Sequence, residues 1–245
     1  MSSHLTLAKA YDHCGAKEPK LTVVFIHGIA SNASSYDHAL KHLEKDAALK
    51  DVRLVAFDLL GSGKSPSGDD LEYTYDEQLT ALHSAIEDLN VKTPLVLVGH
   101  SMGTFIVARY ASTYPGAVKQ LILISPPIYT KEDLADPAFE VGVKIFRDAV
   151  SLKNRDILET KAFNNSMQNI VLDPENYSVL THLTLPTTLI YGDTDNFIAS
   201  YNIPKALAAN STYLTAIKTP GHHSVSHEKY TKLAEILKEA KNEII

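Results

Sequence analysis

The stretch LVLVGHSMGTFIVARY, residues 95–110, decides how this chain is read. Four apolar residues lead to Gly99, and a helix-like run begins at Met102. Between them stands Gly99-His100-Ser101-Met102-Gly103, a G-x-S-x-G sequence at a strand-to-helix turn, the nucleophile-elbow pattern. Such a turn forces the central residue into a strained backbone conformation and lifts its hydroxyl above the strand end. Strand and helix nearly touch there, so the positions two before and two after the serine must be small. Gly99 and Gly103 meet that need. The serine also sits at a helix start, where free N–H groups favour negative charge.

Working outward, LTVVFIHG (21–28), VRLVAFD (52–58), PLVLVGH (94–100), KQLILIS (119–125) and TTLIYGD (187–193) are short apolar, β-branched runs closed by turn residues, and STYLTAIK (211–218) is a sixth strand segment. Runs apolar on both faces suit a mostly parallel sheet covered by helices. Helical patterns lie between them. Residues 74–89 open with Thr74-Tyr75-Asp76-Glu77, a capping-box pattern, and carry Leu79, Leu82, Ile86 and Leu89 at helical spacing. Met102–Tyr114 and His227–Ala240 are also helix-like. The alternation predicts a doubly wound α/β fold with helices on both faces of the sheet. It is interrupted once. Residues 126–186 lack a convincing strand and predict short helices at 132–150, 155–163 and 174–182. We expect a small helical cap inserted after the strand at 119–125, with residues 1–125 and 187–245 forming the core.

Composition narrows the function classes. The chain has 245 residues, 44% of them hydrophobic, with a formal net charge of −6. Mild acidity without clustered Lys and Arg argues against a nucleic-acid partner. No stretch reaches membrane-spanning length, no secretory signal is evident, and Cys14 is the only cysteine. A cytoplasmic protein without a membrane partner is the expectation. The histidines outside the candidate site show no metal-ligand spacing.

DLLGSGKSP, residues 58–66, imitates the end of a phosphate-binding loop. The signature's first glycine is replaced by Asp58, which would set a negative charge where phosphate should lie. The turn-rich run that follows does not continue a helix. Nucleotide binding is therefore not expected.

A serine hydroxyl is a poor nucleophile and needs a base, itself oriented by an acid. Asp193 and Asp195 follow the strand at 187–193, at a carboxyl end where ligands bind in open α/β sheets. His222 and His223 follow the last strand. The order serine, acid, histidine is the one this architecture requires.

With FIHG, DLLGSGKS, GHSMG, YGDTD and GHH in this order, the chain resembles the α/β-hydrolase family over nearly its whole length, in particular the capped serine-esterase and haloperoxidase-like branch. The resemblance implies that the acid stands three residues after Gly192, at Asp195, and that the base directly follows Gly221, at His222. It also implies that the DLLGSGKS loop is a structural feature and Lys64 a surface residue. One oxyanion-hole donor is expected at the backbone N–H of Met102, the residue after the nucleophile, and the resemblance places the second at Ile29. Each such donor is worth roughly 3–4 kcal/mol. His27 and His100 are expected to be structural. Ile128, Tyr129, Phe139, Phe146 and Phe163 are candidate substrate-binding residues in the cap. The implied activity is hydrolysis of a small carboxylic ester through an acyl-enzyme, with no cofactor. Diketone or thioester cleavage by the same three residues, and a ligand-sensing role on the same scaffold, stay open at this level. So does the oligomeric state.

Overall fold

The computed structural model describes residues 5–153 and 160–243. Its centre is a seven-stranded sheet in the order β1-β3-β2-β4-β5-β6-β7. The strands are β1 (Ala8–His13), β2 (Leu21–Ile26), β3 (Val52–Asp58), β4 (Leu95–His100), β5 (Gln120–Ile124), β6 (Thr187–Gly192) and β7 (Leu214–Thr219). All neighbours pair in parallel except β1, which lies antiparallel to β3 at the edge.

The apolar runs form strands because each alternate residue has a layer to fill. Val23, Phe25, Leu54, Val98 and Ile122 pack on one face with helices α1 (Asp37–Lys45) and α9 (His227–Asn242). Val24, Ile26, Val55, Leu97 and Leu121 face the other side, against α2 (Tyr75–Asp88) and α3 (Met102–Thr113). A side-chain period of two puts neighbours on opposite faces, so a run buried on both must be apolar throughout. The capping box at the start of α2 is formed: Thr74 accepts from the Glu77 amide and the Glu77 carboxylate accepts from the Thr74 amide.

β1 has no counterpart among the strands expected from the sequence. Its residues, AKAYDH, are half-buried or exposed and carry no apolar run. It is held by backbone pairing and by Arg53 of β3, whose guanidinium donates to Asp12 Oδ1 at 2.9 Å and Oδ2 at 2.8 Å. Hydrogen bonding to Arg53, with help from Lys9 and against partial burial, lowers the Asp12 pKa to about 2. That is below the ordinary carboxylate value, so the pair stabilises the fold at neutral pH and is lost as pH falls through about 2. Asp12→Asn is expected to lower stability by roughly 1 kcal/mol at pH 7, because the pair is partly solvated. Urea denaturation should show the difference vanishing near pH 2.

Between β5 and β6 run α4 (Lys131–Ala135), α5 (Pro137–Lys153), α6 (Thr160–Ser166), a π-helical turn (Met167–Val171) and α7 (Asn176–Thr181). The helix expected at 132–150 is two helices: Asp136 is extended, as a residue preceding proline prefers, and Pro137 starts α5. Of the helix expected at 155–163, residues 155–159 lie outside the described residues. Another helix, α8 (Ile203–Ala209), precedes β7. Among the described residues no helix is long and apolar enough to cross a membrane.

Candidate active site

The loop at 58–66 does cradle an anion, and the anion is its own aspartate. Asp58 accepts from the Ala33 amide at 2.9 Å through Oδ1 and from the Lys64 amide at 2.9 Å through Oδ2. Gly63 has φ +54, and a side chain there would overlap the Asp58 carboxylate. Lys64 is exposed. His27 ties the same corner together: Nδ1 donates to the Gly28 carbonyl at 2.8 Å and Nε2 accepts from the Leu59 amide at 2.9 Å. Burial lowers the His27 pKa, which suits this neutral, two-bonded imidazole. The loop after β2 is thereby held against the loop after β3, and its Gly28 packs close to the start of α3. A Cβ on Gly28 would stand 2.9 Å from Ser101 Cβ.

Ser101 sits at the elbow with φ 52 and ψ −121. A non-glycine residue in this region stores of order 1–3 kcal/mol and persists only where its surroundings enforce it. Its amide donates to the Ile124 carbonyl at 2.9 Å, and its carbonyl accepts from Thr104 Oγ1 at 2.6 Å. A Cβ on Gly99 would lie 2.5 Å from the Gly103 carbonyl oxygen, and one on Gly103 would overlap the Ile26 carbonyl. The steric demand anticipated for both glycines is therefore present.

The histidine facing the serine is His223, not the expected His222. His223 Nε2 lies 2.8 Å from Ser101 Oγ. Its Nδ1 lies 2.9 Å from Asp195 Oδ2 and 3.1 Å from Oδ1. His222 is exposed, with Nδ1 3.1 Å from Thr194 Oγ1 and 3.2 Å from the Thr194 carbonyl. The reason lies in how the loop is tethered. The Gly221 carbonyl is bound by the Thr194 amide at 3.2 Å, and its amide donates to Asp193 Oδ1 at 3.0 Å. Next, the His223 carbonyl accepts from His100 Nε2 at 2.8 Å. Held at both points, the chain sends side chain 222 to solvent and side chain 223 inward.

Of the two aspartates, Asp195 is the one that reaches the imidazole. Its side chain has no solvent exposure. Burial pushes its pKa up, but hydrogen bonds from His223, the Phe197 amide and Ser125 outweigh this, and the net shift is downward. A buried carboxylate kept ionised next to Nδ1 fixes the tautomer that leaves Nε2 free to take a proton. His100 is half-buried, and desolvation of its ring, then the neighbouring His223, lowers its pKa to about 3. It is a neutral donor to the loop.

A cavity of about 630 Å³ is lined by Ser101, His223 and Ile29. Tyr129, Phe139 and Phe146 also line it, together with Val143, Met167 and Phe197. Ile128 and Phe163 do not. Both are in the apolar core, 1% and 5% exposed, and their side chains pack inward. Met102 is the first residue of α3, so its N–H lacks an intrahelical acceptor. Sequence reasoning did not single out Phe197, Ser125 or Lys229. Only Lys229 carried a legible signal: it falls in phase with Leu233, Ile236, Leu237 and Ala240 on the apolar stripe of α9, where a lysine is out of place.

Residues 22–143 match the family model of the alpha/beta hydrolase fold. The chain is 36% identical over 135 residues to the probable lysophospholipase BODYGUARD 2 of Arabidopsis thaliana, covering 55% of this chain and 28% of that protein. It is 26% identical over 216 residues to Lipase 1 of Psychrobacter immobilis, covering 75% and 64%. The chain thus spans only about a quarter of the length of the plant relative and under two thirds of the bacterial one. Among solved structures, a carboxylesterase of Nitrososphaera gargenis superimposes with a TM-score of 0.73 at 20% identity, covering 100% of this chain and 97% of that one. The bromoperoxidase of Bacillus anthracis gives 0.72 at 21% identity, covering 96% and 100%. With this match and this sheet, the chain belongs to the α/β-hydrolase fold family.

Proposed function

We propose that the protein is a serine hydrolase of carboxylic esters with an uncharged, apolar acyl group. The observation that carries this reading is the unbroken chain from Asp195 through His223 to Ser101 Oγ, all within 3.1 Å. In the proposed reaction, Ser101 Oγ attacks the ester carbonyl as His223 Nε2 takes its proton. The tetrahedral oxyanion is met by the amides of Met102 and Ile29. Its collapse breaks the carbonyl–alkoxy bond, the imidazolium returns the proton to the departing alcohol, and an acyl-serine remains. Water then attacks the acyl-serine with the same histidine as base, releasing the acid. Asp195 remains ionised and stabilises the imidazolium. Ester-cleaving relatives agree with this class: one is called a lipase and one a probable lysophospholipase.

The acyl group is inferred from the cavity. Among the described residues lining it there is no Lys, Arg, Asp or Glu. The Tyr129 hydroxyl is used by the Phe197 carbonyl at 2.7 Å, and that of Tyr201 by Asp133 at 2.7 Å. Among these residues a substrate carboxylate would find no lysine or arginine, and burying it unpaired is costly. An alkyl or aryl chain loses nothing and gains about 25 cal/mol per Å² removed from water. We read the helices between β5 and β6 as a cap that supplies one wall of this cavity, through Phe139, Val143 and Phe146.

Steady turnover of p-nitrophenyl esters that disappears in Ser101→Ala tests the activity. A single slow turnover with retained ligand would point to a sensing role. Gly142 tests the cavity. It lies on the cavity wall in α5, and a Cβ there meets nothing within 4 Å. Gly142→Phe should fill the space without strain and improve helix propensity. We expect kcat/KM for octanoyl esters to fall by about tenfold or more, with acetyl esters within about threefold of wild type. An ester panel graded by chain length reads this out.

A further inference from the structure

Behind the proposed site lies a buried lysine that the reaction above does not use. Lys229, in the first turn of α9, is 0% exposed. Its Nζ donates to Ser125 Oγ at 2.7 Å, to the Ser224 carbonyl at 3.0 Å, and to the His222 carbonyl. An ammonium has three protons, and these three acceptors use them all. Two of the acceptors flank His223 in sequence, and the carbonyl of His223 itself is held by His100. The third, Ser125, directly follows β5 in a left-handed conformation, φ 51, with its amide fixed on the Ile190 carbonyl at 2.8 Å. Ser125 Oγ accepts from the lysine, which leaves its own proton free to turn toward Asp195, whose pKa the Ser125 hydroxyl helps to lower.

We propose that Lys229 and Ser125 form a positioning pair that fixes the loop carrying His223 and holds the Asp195 carboxylate in place through a single intervening hydroxyl. The inference rests on the reading of Ser101, His223 and Asp195 as the hydrolytic centre. Its logic is electrostatic and geometric. A lysine in direct contact with Asp195 would compete with His223 for the carboxylate oxygens. Placed one hydroxyl away, it complements the buried negative charge without taking the oxygens that His223 and the Phe197 amide use. A purely structural residue on the apolar stripe of α9 would be better served by leucine, since a buried charge is expensive to hold. The charged groups that bear on Lys229 are Asp195 and its neighbour Glu228, both of which favour the ammonium against the effect of burial.

The test compares Lys229→Met, Ser125→Ala, the double variant and the control Lys232→Met, a partly exposed lysine on the same helix that pairs with Glu235. Two readouts are taken on the full chain: kcat and KM for p-nitrophenyl butyrate, and the downfield proton resonance of the His223–Asp195 hydrogen bond, which needs no turnover. We expect kcat to fall about tenfold or more in Lys229→Met and less in Ser125→Ala, with KM within about threefold. The double variant should be no worse than Lys229→Met, because the pair acts as a unit. The resonance should shift or broaden in all three and stay put in the control. A folded Lys229→Met with wild-type kcat and an unmoved resonance overturns the proposal. If Lys229→Met does not fold, Ser125→Ala decides by the same two readouts. Should the wild type hydrolyse no ester, the functional reading falls by itself, and the resonance still decides the role of Lys229.

Discussion

In His223→Ala, kcat for a short-chain ester is expected to fall by about four to six orders of magnitude, while His222→Ala stays within about threefold of wild type. The contrast follows from positions only one residue apart. His223 Nε2 is 2.8 Å from Ser101 Oγ, whereas His222 is exposed and turned toward Thr194. Without an imidazole at Nε2's position, the Ser101 proton has no acceptor and the hydroxyl keeps its ordinary reactivity. Activity remaining in His223→Ala would come from the oxyanion donors and substrate binding alone. Alanine at 222 loses the exposed ring contacts to Thr194 but retains the carbonyl that Lys229 holds. Ser101→Ala combined with His223→Ala should be no worse than either alone, because a base with no nucleophile to serve adds nothing. Single-turnover and steady-state kinetics on the four variants and the wild type check this.

Asp195→Asn is expected to lower kcat by about 10⁴-fold with little change in folded stability. The amide has nearly the carboxylate's shape, and one of its atoms can still accept from the Phe197 amide, now 3.0 Å from Asp195 Oδ1. Its nitrogen, however, is a donor and would favour the imidazole tautomer with Nδ1 unprotonated. Nε2 would then carry the proton and could not remove one from Ser101. The stabilising charge opposite the imidazolium would also be gone. Asp193→Asn is the matched control. Asp193 accepts from the Gly221 amide at 3.0 Å, a role the asparagine carbonyl can fill. We expect its kcat within about tenfold of wild type. Thermal melts alongside the kinetics separate loss of chemistry from loss of fold.

Much of this was legible in the residues because burial on both faces leaves a strong mark. The runs forming β2 to β6 are apolar at nearly every position, and the glycines at 99 and 103 stand where a side chain would strike backbone. β1 left no such mark, since an edge strand held by backbone pairing and Arg53 needs no apolar face. The elbow was readable for the same steric reason, whereas the identity of the histidine was not. A motif gives a position to within a residue or two, and the tethers that turn 223 inward, from Thr194 and His100, come from segments far away in sequence. Aromatic and aliphatic residues after β5 were equally ambiguous. Tyr129 and Phe146 face the cavity, while Ile128 and Phe163 fill the core, and hydrophobicity alone does not distinguish the two.

The most direct measurement is reaction with a fluorophosphonate followed by peptide mass spectrometry on the wild type, His222→Ala and His223→Ala. Such a reagent modifies only a hydroxyl whose proton is being withdrawn. The arrangement described above predicts a stoichiometric adduct on Ser101 in the wild type and in His222→Ala, and almost none in His223→Ala over the same time. An adduct on another residue, or labelling that survives in His223→Ala and is lost in His222→Ala, would contradict it.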